Sequence, residues 1–440
     1  MKLKDSDPKI YDLITEEIKR QRDGLEMIPS ENYVSLAVRE AMGSVLTNKY
    51  SEGYPKKRYY GGNEYIDEVE NLARERAKKL FGVEHVNVQP YSGSPANLAV
   101  YLATLSPGDT VMGLNLPDGG HLTHGWKVSA TGQFYKSVPY HVREDGRVDM
   151  DEVWKLAREY KPKLIWAGAT AFVYQYPFEK FAEIADSVKA YFAADIAHVV
   201  GLIIAKVHKS PFPYAHIVTT TTHKTLRGPR GGMIMVTQRG MEKDPELPEK
   251  VDRAVFPGLQ GGPHDHQTAA IAVALKEAAS PKFKYYGKQI VKNAQALAQM
   301  LVKSGLTLVG RGTENHLLLI SLVPQLGPGG GIFVQEALQR AGITVNKNTI
   351  PKDPSSPFYP SGVRLGTPAL TTRGMKEQEM KRIGKWVAEI VRVASIYHLP
   401  TDKESRVEYV KKAKQELMKN SQLEKLSREV KIMARKFPVP

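Results

Sequence analysis

The stretch His216-Ile217-Val218-Thr219-Thr220-Thr221-Thr222-His223-Lys224-Thr225 decides how the rest of the chain is read. Its β-branched residues form a short strand that runs into a His-Lys pair. A glycine-rich loop follows, Leu226-Arg227-Gly228-Pro229-Arg230-Gly231-Gly232. Most lysines sit in solvent. One at a strand end, beside hydroxyls and a glycine-rich loop, is placed to act as an activated amine. Upstream, the run Ala190-Tyr191-Phe192-Ala193-Ala194-Asp195-Ile196-Ala197-His198 is apolar and ends in Asp. It reads as a buried parallel strand with Asp195 at its C-terminal edge, where open α/β sheets bind ligands. Taken singly, Asp195 reads equally well as a helix cap. A buried carboxylate requires a cationic partner.

Strand-Asp-x-x-His followed by strand-His-Lys points to pyridoxal 5'-phosphate (PLP). Lys224 would hold it as a Schiff base, and Asp195 would face its protonated pyridine nitrogen. A third element is Val86-Asn87-Val88-Gln89-Pro90-Tyr91-Ser92-Gly93-Ser94-Pro95-Ala96-Asn97, a strand, a Gly/Ser loop and a helix start. Ser94 is expected as N-cap and Pro95 as the first helical residue. The free N–H groups of that helix end make a phosphate cradle from Ser92, Gly93 and Ser94. Arg364, between Gly362 and Gly366 in strand-like surroundings, offers a planar fork for a carboxylate.

With these come Lys49-Tyr50-Ser51-Glu52-Gly53-Tyr54-Pro55, Arg58-Tyr59-Tyr60-Gly61-Gly62, Gly119-Gly120-His121-Leu122-Thr123-His124-Gly125 and Ser361-Gly362-Val363-Arg364-Leu365-Gly366-Thr367-Pro368-Ala369. In order and spacing, over roughly residues 24 to 395, they resemble serine hydroxymethyltransferase of the archaeal type. The resemblance implies a fold of the aspartate-aminotransferase type: a large, mostly parallel α/β sheet domain and a smaller C-terminal α+β domain. It implies reversible transfer of a one-carbon unit between L-serine and a reduced pterin, giving glycine and the methylene-pterin. Cleavage of 3-hydroxy amino acids would be a side activity. The alternative is a pterin-independent threonine aldolase on the same fold.

Residue by residue, the resemblance implies that His121 stacks on the PLP ring. Thr170, where the family usually has Ser, and His198 lie near its phenolic oxygen, and Arg230 lies near Lys224. Thr221 and His223 flank the lysine as catalytic neighbours. Arg364 and Ser30 take the substrate carboxylate. Leu116, Leu122 and Asn348 take the pterin. Glu52 and Tyr60 handle protons and substrate, and Tyr50, Tyr54 and Tyr60 are expected to shield Glu52 and raise its pKa. Tyr50, Tyr60, Glu52, Gly261 and Gly262 act partly across a homodimer interface, so active sites are shared. Pro263-His264-Asp265-His266 departs from the family's more apolar Pro-Leu-Met-His tract. It reads as a surface or interface variation. His121 and His124, one helical turn apart, are the alternative metal pair; no metal is expected.

Composition bounds the rest. The 440 residues are 42% hydrophobic, carry no cysteine and have a net charge of +15. No disulfide, thiol nucleophile or Cys-based metal site is available, which fits a reducing cytoplasm. The start of the chain lacks the apolar core of a signal peptide, and no apolar run is long enough to span a bilayer. Much of the positive excess is Lys interleaved with Glu in predicted C-terminal helices, a solvated surface that also suits a thermophile. No nucleic-acid-binding motif accompanies it, so nucleic acid is not an expected partner.

The expected organisation is an N-terminal arm and helix over 1–33, a PLP-binding domain over 34–280, and a small domain over 281–440. The amphipathic helix of 5–23 carries Ile10, Leu13, Ile14 and Ile18 on one face. Alternating helices and strands from 66 to 280 predict strands at 86–89, 110–113, 163–168, 190–194, 216–220 and 232–236. Strands at 306–309, 317–321 and 362–366, with helices at 333–341, 374–396 and 403–436, make up the small domain.

Overall fold

The β-branched and apolar runs of the first half become one sheet in the computed structural model, which describes residues 2–440. Its seven strands are β1 (His85–Asn87), β2 (Thr110–Leu114), β3 (Lys136–Tyr140), β4 (Leu164–Ala167), β5 (Tyr191–Asp195), β6 (Ile217–Thr221) and β7 (Gly232–Val236). The spatial order is β1-β7-β6-β5-β4-β2-β3. The pairs from β6 to β3 are parallel, and β7 runs antiparallel to both of its neighbours. Apolar side chains on both faces bury these strands, as a parallel sheet covered by helices requires. On one face Trp166, Ala193, Ile217 and Ile234 pack with Ala96, Val100 and Tyr101 of the helix Gly93–Thr104. Asp195 pairs in register with Thr219, so β5 and β6 end at one C-terminal edge. This sheet belongs to a compact unit, Val34–Val291.

The strand β3 is absent from the sequence expectation. Its run Lys-Ser-Val-Pro-Tyr holds Pro139, which an interior strand would not tolerate; β3 sits at the sheet edge, where the missing N–H costs little.

The second unit joins Lys292–Pro440 with the residues up to Tyr33. Its sheet is antiparallel, in the order β8 (Thr307–Leu308), β9 (Leu317–Ser321), β11 (Gly362–Gly366), β10 (Asn346–Asn348). Leu318, Ile320, Val363 and Leu365 face a core completed by the helices Gly331–Arg340 and Glu377–Ala394. The helical C-terminus forms two helices, Lys403–Met418 and Ser421–Arg435.

Two expectations about boundaries are corrected. Residues 1–33 are not a separate arm: Leu25 and Met27 lie in the second unit's core, and Leu25–Glu26 pair in parallel with Ile343–Thr344. Arg373 reinforces this by donating to the carbonyls of Gln21, Arg22, Gly24, Ala434 and Phe437, so one guanidinium caps the ends of two helices. The unit boundary falls at 291/292, inside the helix Pro281–Lys303, not at 280/281. A helix can carry a unit boundary because each half buries its own apolar face. The N-terminal helix Pro8–Asp23, capped by Asp7, turns its expected apolar face to solvent: Leu13 and Ile18 are 58% and 61% exposed.

Candidate active site

Asp195, at the end of β5, has a side chain only 11% exposed. Its Oδ2 accepts from His124 Nε2 at 3.2 Å and from Asn97 Nδ2 at 2.9 Å, and its Oδ1 accepts from the Ala197 N–H at 3.0 Å. Burial alone would raise its pKa, but the His124 hydrogen bond and the charges of His124, His121 and Lys224 outweigh it and hold the carboxyl well below the usual carboxylate range. It is an ionised acceptor suited to a cation. Asn97 is itself fixed by Thr219, whose hydroxyl donates to Oδ1 at 2.7 Å, and His124 stacks on Trp166.

His121 stands beside this carboxylate. Its Nδ1 lies 2.7 Å from Thr123 Oγ1 and also accepts from the Thr123 N–H, which puts the ring proton on Nε2. Burial, with His124 adding to it, pushes His121 down to about 4, so the ring is neutral. Donor atoms of His121, His124 and Asp195 all lie within 4.8 Å of one another, the one such metal-competent group among the described residues. The hydrogen bonds above already engage two of the three with each other.

Lys224 is buried just beyond the end of β6. Its loop is closed locally: Gly228 N–H donates to the Thr222 carbonyl, Thr222 Oγ1 to the Pro229 carbonyl, and Thr225 Oγ1 to the His198 carbonyl. His223, half-buried, is pushed down to about 3 by burial, then by the charges of Lys224 and Arg230. The buried Thr221 hydroxyl has no partner. Arg230 is exposed.

The helix after β1 starts at Gly93, with Ser92 as N-cap. The expectation of Ser94 as cap and Pro95 as first residue is corrected: proline is tolerated anywhere in the first turn, because no N–H there has an intrahelical acceptor. Ser92 makes no capping bond with its side chain, which leaves that hydroxyl and the Gly93 and Ser94 N–H groups at the helix end. A Cβ on Gly93 would meet Thr221 Cγ2 at 2.7 Å, so this loop closes on the end of β6 only because the residue is glycine. Thr170, past β4, donates to the Gly120 carbonyl at 3.0 Å and so holds the Gly119-Gly120 loop that carries His121. Leu116 lines a cavity of about 240 Å³ with His121, His124 and Trp126, while Leu122 is exposed.

A second cluster lies in the same unit. Tyr50 Oη donates to Glu52 Oε1 at 3.2 Å, and the Tyr50 and Tyr60 rings meet edge-on with centroids 5.0 Å apart. A Cβ on Gly261 would stand 3.0 Å from Glu52 Oε1, and Gly262 packs on the Tyr50 ring. The tyrosine shield is incomplete in one chain. Tyr50 and Tyr60 are 54% and 49% exposed, and Tyr54 turns away to donate to the Asp252 carbonyl. The His264-Asp265-His266 tract, expected as a surface or interface variation, lies only partly at the surface of the chain. His264 stacks on Tyr91 with centroids 4.1 Å apart, and Asp265 is buried against Ser51.

In the other unit, Arg364 on β11 is buried, and its Nε donates to Asn346 Oδ1 at 3.1 Å. Burial pushes Arg364 down to about 10. Asn346 Nδ2 also reaches Asn348 Oδ1. The Gly366 N–H donates to the Met27 carbonyl, and Pro29 packs where a Cβ on Gly366 would be, which brings the Met27–Ser30 segment against the strand of Arg364. Near Ser30, burial and neighbouring Glu31 push the Glu26 carboxyl upward.

The sequence profile described as Serine hydroxymethyltransferase matches residues 3–387. The chain belongs to the serine hydroxymethyltransferase family. A relative of that name from Acidothermus cellulolyticus is 58% identical over 386 residues, 88% of each chain. One from Sorangium cellulosum is 58% identical over 389 residues, 88% of this chain and 90% of its own. One from Phenylobacterium zucineum is 53% identical over 403 residues, 91% and 92% of the two chains. Serine hydroxymethyltransferases are PLP-dependent and use a folate-type pterin, so the enzyme moves a one-carbon unit between serine and glycine. This reading prevails over a pterin-independent threonine aldolase.

The residues fit PLP: an ionised, nearly buried carboxylate, a buried amine past the neighbouring strand, an orphaned hydroxyl and an uncapped helix end. Sequence reasoning passed over four members of these networks. Asn97 and Asn346 act through tertiary contacts, Thr123 links its near neighbour His121 to Asn97, and the sequence offers His124 only as a metal ligand. The one local signal was Asn97, a buried amide in an otherwise apolar helix.

Proposed function

We propose that this serine hydroxymethyltransferase holds PLP through Lys224, with Asp195 against the ring nitrogen, His121 over the ring face, and Ser92, Gly93 and Ser94 around the phosphate. The bound cofactor supplies an electron sink for breaking bonds at the substrate's α-carbon. One observation carries the reading: a buried lysine and a buried ionised carboxylate stand at the same edge of adjacent parallel strands. Neutral His121 can stack without adding charge, and ionised Asp195 keeps a cation in place opposite it. His124 and Asn97 fix the direction in which that carboxylate points. Thr170, His198 and Arg230 line the loops around Lys224, and Thr221 and His223 flank it.

Arg364 and Ser30 bind the substrate carboxylate, with Asn346 holding the guanidinium plane. Leu116, Leu122 and Asn348 bind the pterin. Glu52, with Tyr60 beside it, moves protons at the substrate hydroxyl and the pterin. The active unit is a cytoplasmic homodimer with shared sites, to which Tyr50, Glu52, Tyr60, Gly261 and Gly262 contribute across the interface. The half-exposed Tyr50 and Tyr60, exposed Val45, Tyr59 and Tyr65, and the bare apolar face of the N-terminal helix supply the surface such a dimer would bury.

Borohydride reduction of the holoenzyme followed by peptide mapping tests the core of the proposal. The expected result is one pyridoxyl label, on the peptide containing Lys224. Label on any other lysine would overturn it.

A further inference from the structure

The tract that departs from the family pattern lies next to Glu52, and its aspartate faces inward. Ser51 Oγ donates to Asp265, 2.7 and 2.8 Å from the two carboxylate oxygens. Ser51 is fully buried and Asp265 is 3% exposed. We infer that Asp265 is a positioning residue for Glu52, acting through Ser51. The inference rests on the reading of Glu52 as the proton-handling group.

The geometry is that of a clamp on three consecutive residues. Arg58 Nη1 donates to the Ser51 carbonyl at 2.8 Å and to the Gly53 carbonyl at 2.9 Å. Gln89 Nε2 donates to the Gly53 carbonyl at 3.0 Å. Arg58 is itself held by Asp67 and Glu70, with a guanidinium only 4% exposed. The Tyr59 N–H also donates to the Glu52 carbonyl at 3.0 Å, so the backbone is held at all three residues. The Ser51 side chain, tied to Asp265, adds an anchor on a separate element, the helix Asp265–Ala278. Glu52 Oε1 is then confined between Tyr50 Oη and Gly261.

Burial pushes the Asp265 carboxyl upward, and the Ser51 hydrogen bond and the charges of Arg58 and Lys49 work against that rise. Asp265 is the first residue of the helix Asp265–Ala278, where the helix dipole favours negative charge. A hydroxyl donating to a buried carboxylate is a strong, directional bond. Leucine or methionine at 265 could fill the volume but could not fix the Ser51 hydroxyl. The chemistry of the pair is therefore orientation, and its beneficiary is the adjacent carboxylate.

The test uses holoenzyme carrying Ser51→Ala or Asp265→Asn, each alone and combined with Glu52→Gln. Each single change should lower kcat for pterin-dependent serine cleavage by about 10- to 100-fold, the scale of misplacing a reacting group. KM for serine and the PLP absorbance should stay at their starting values. Added to Glu52→Gln, neither change should lower kcat further, because the group they position is already inert; a merely structural defect would multiply through. Normal kcat in Ser51→Ala, or losses that multiply on Glu52→Gln, would overturn the inference while leaving Glu52 in its role. Normal turnover in Glu52→Gln would remove Glu52 from the chemistry and the inference with it. Should Asp265→Asn fail to unfold cooperatively, Ser51→Ala decides, since it removes one hydroxyl and leaves the packing in place.

Discussion

The centre at Lys224 and the cluster at Glu52 belong to the same compact unit, yet the chain encloses the first far more than the second. Both Asp195 carboxylate oxygens have partners from the same chain, and the carboxylate is nearly buried. Around Glu52, the backbone is clamped from below, while the tyrosines above stand half in solvent. A buried ionised group is tolerated only when its surroundings are fixed in advance. A proton-moving group must meet substrate, so its outer wall can come from elsewhere. The contrast separates an enclosed centre from one whose backbone is fixed but whose outer side is open, the side that the proposed dimer would cover.

The strongest way to break this comparison is Lys224→Ala. Serine cleavage should fall by about 1,000-fold or more, as for removal of a group that takes part in the chemistry. The visible PLP band should go with it, and circular dichroism should stay unchanged. Retained turnover would show that the self-contained centre is not where the chemistry occurs.

Glu52→Gln should cost about 100-fold in pterin-dependent turnover, while serine and PLP still bind. Pterin-independent cleavage of a bulky 3-hydroxy amino acid should fall far less. Mixed dimers of Glu52→Gln and Lys224→Ala chains then sharpen the comparison. With shared sites, one of the two sites in each mixed dimer is intact, and activity returns. Verified heterodimers without rescue would place the Glu52 cluster wholly within its own chain's site.

Arg364 belongs to the other unit but resembles the Lys224 centre in being buried and held by an amide. Arg364→Lys keeps the charge and loses the fork, so KM for serine should rise by about 30-fold with PLP affinity unchanged. An unchanged KM would take Arg364 out of substrate binding.

The smallest effect concerns the sheet under the centre. His216 Nδ1 accepts from the Phe192 N–H at 2.9 Å, and burial pushes His216 down to about 4. Above the ordinary histidine value both folded and unfolded chains are neutral here. As pH falls through about 6.5 the unfolded chain takes up a proton and the folded one does not, so stability is lost progressively down to about pH 4. His216→Asn keeps an acceptor for Phe192 and removes the titration. The slope of unfolding free energy against pH in that window should lessen by about one proton. An unchanged slope would assign the acid sensitivity to other groups.

The sequence was most legible where local pattern and burial agree. The strands β4 to β7 emerged within a residue or two of their expected ends, because both of their faces are covered and nearly every position is buried. It was least legible where pairing partners impose the strand. β10 is Asn-Lys-Asn, with no strand propensity of its own, and exists because Gly362–Gly366 pairs with it. The amphipathic N-terminal helix was legible as a helix, but nothing local told that its apolar face would point outward in a single chain.

What the sequence alone determined is the set of reactive groups and their order: a lysine after a strand, an aspartate ending another, a serine-glycine turn before a helix. Those are local features, fixed by period, turn chemistry and the cost of burying charge. What only tertiary structure decided is how each group is held. Asn97 and His124 converge on Asp195, Asn346 on Arg364, and Asp265 on Ser51, over separations of 18 to 214 residues. Hydrogen bonds between side chains depend on distances of a few tenths of an ångström and on the direction of each donor. No periodicity along the chain encodes those, and the packing of the sheet and its helices sets them.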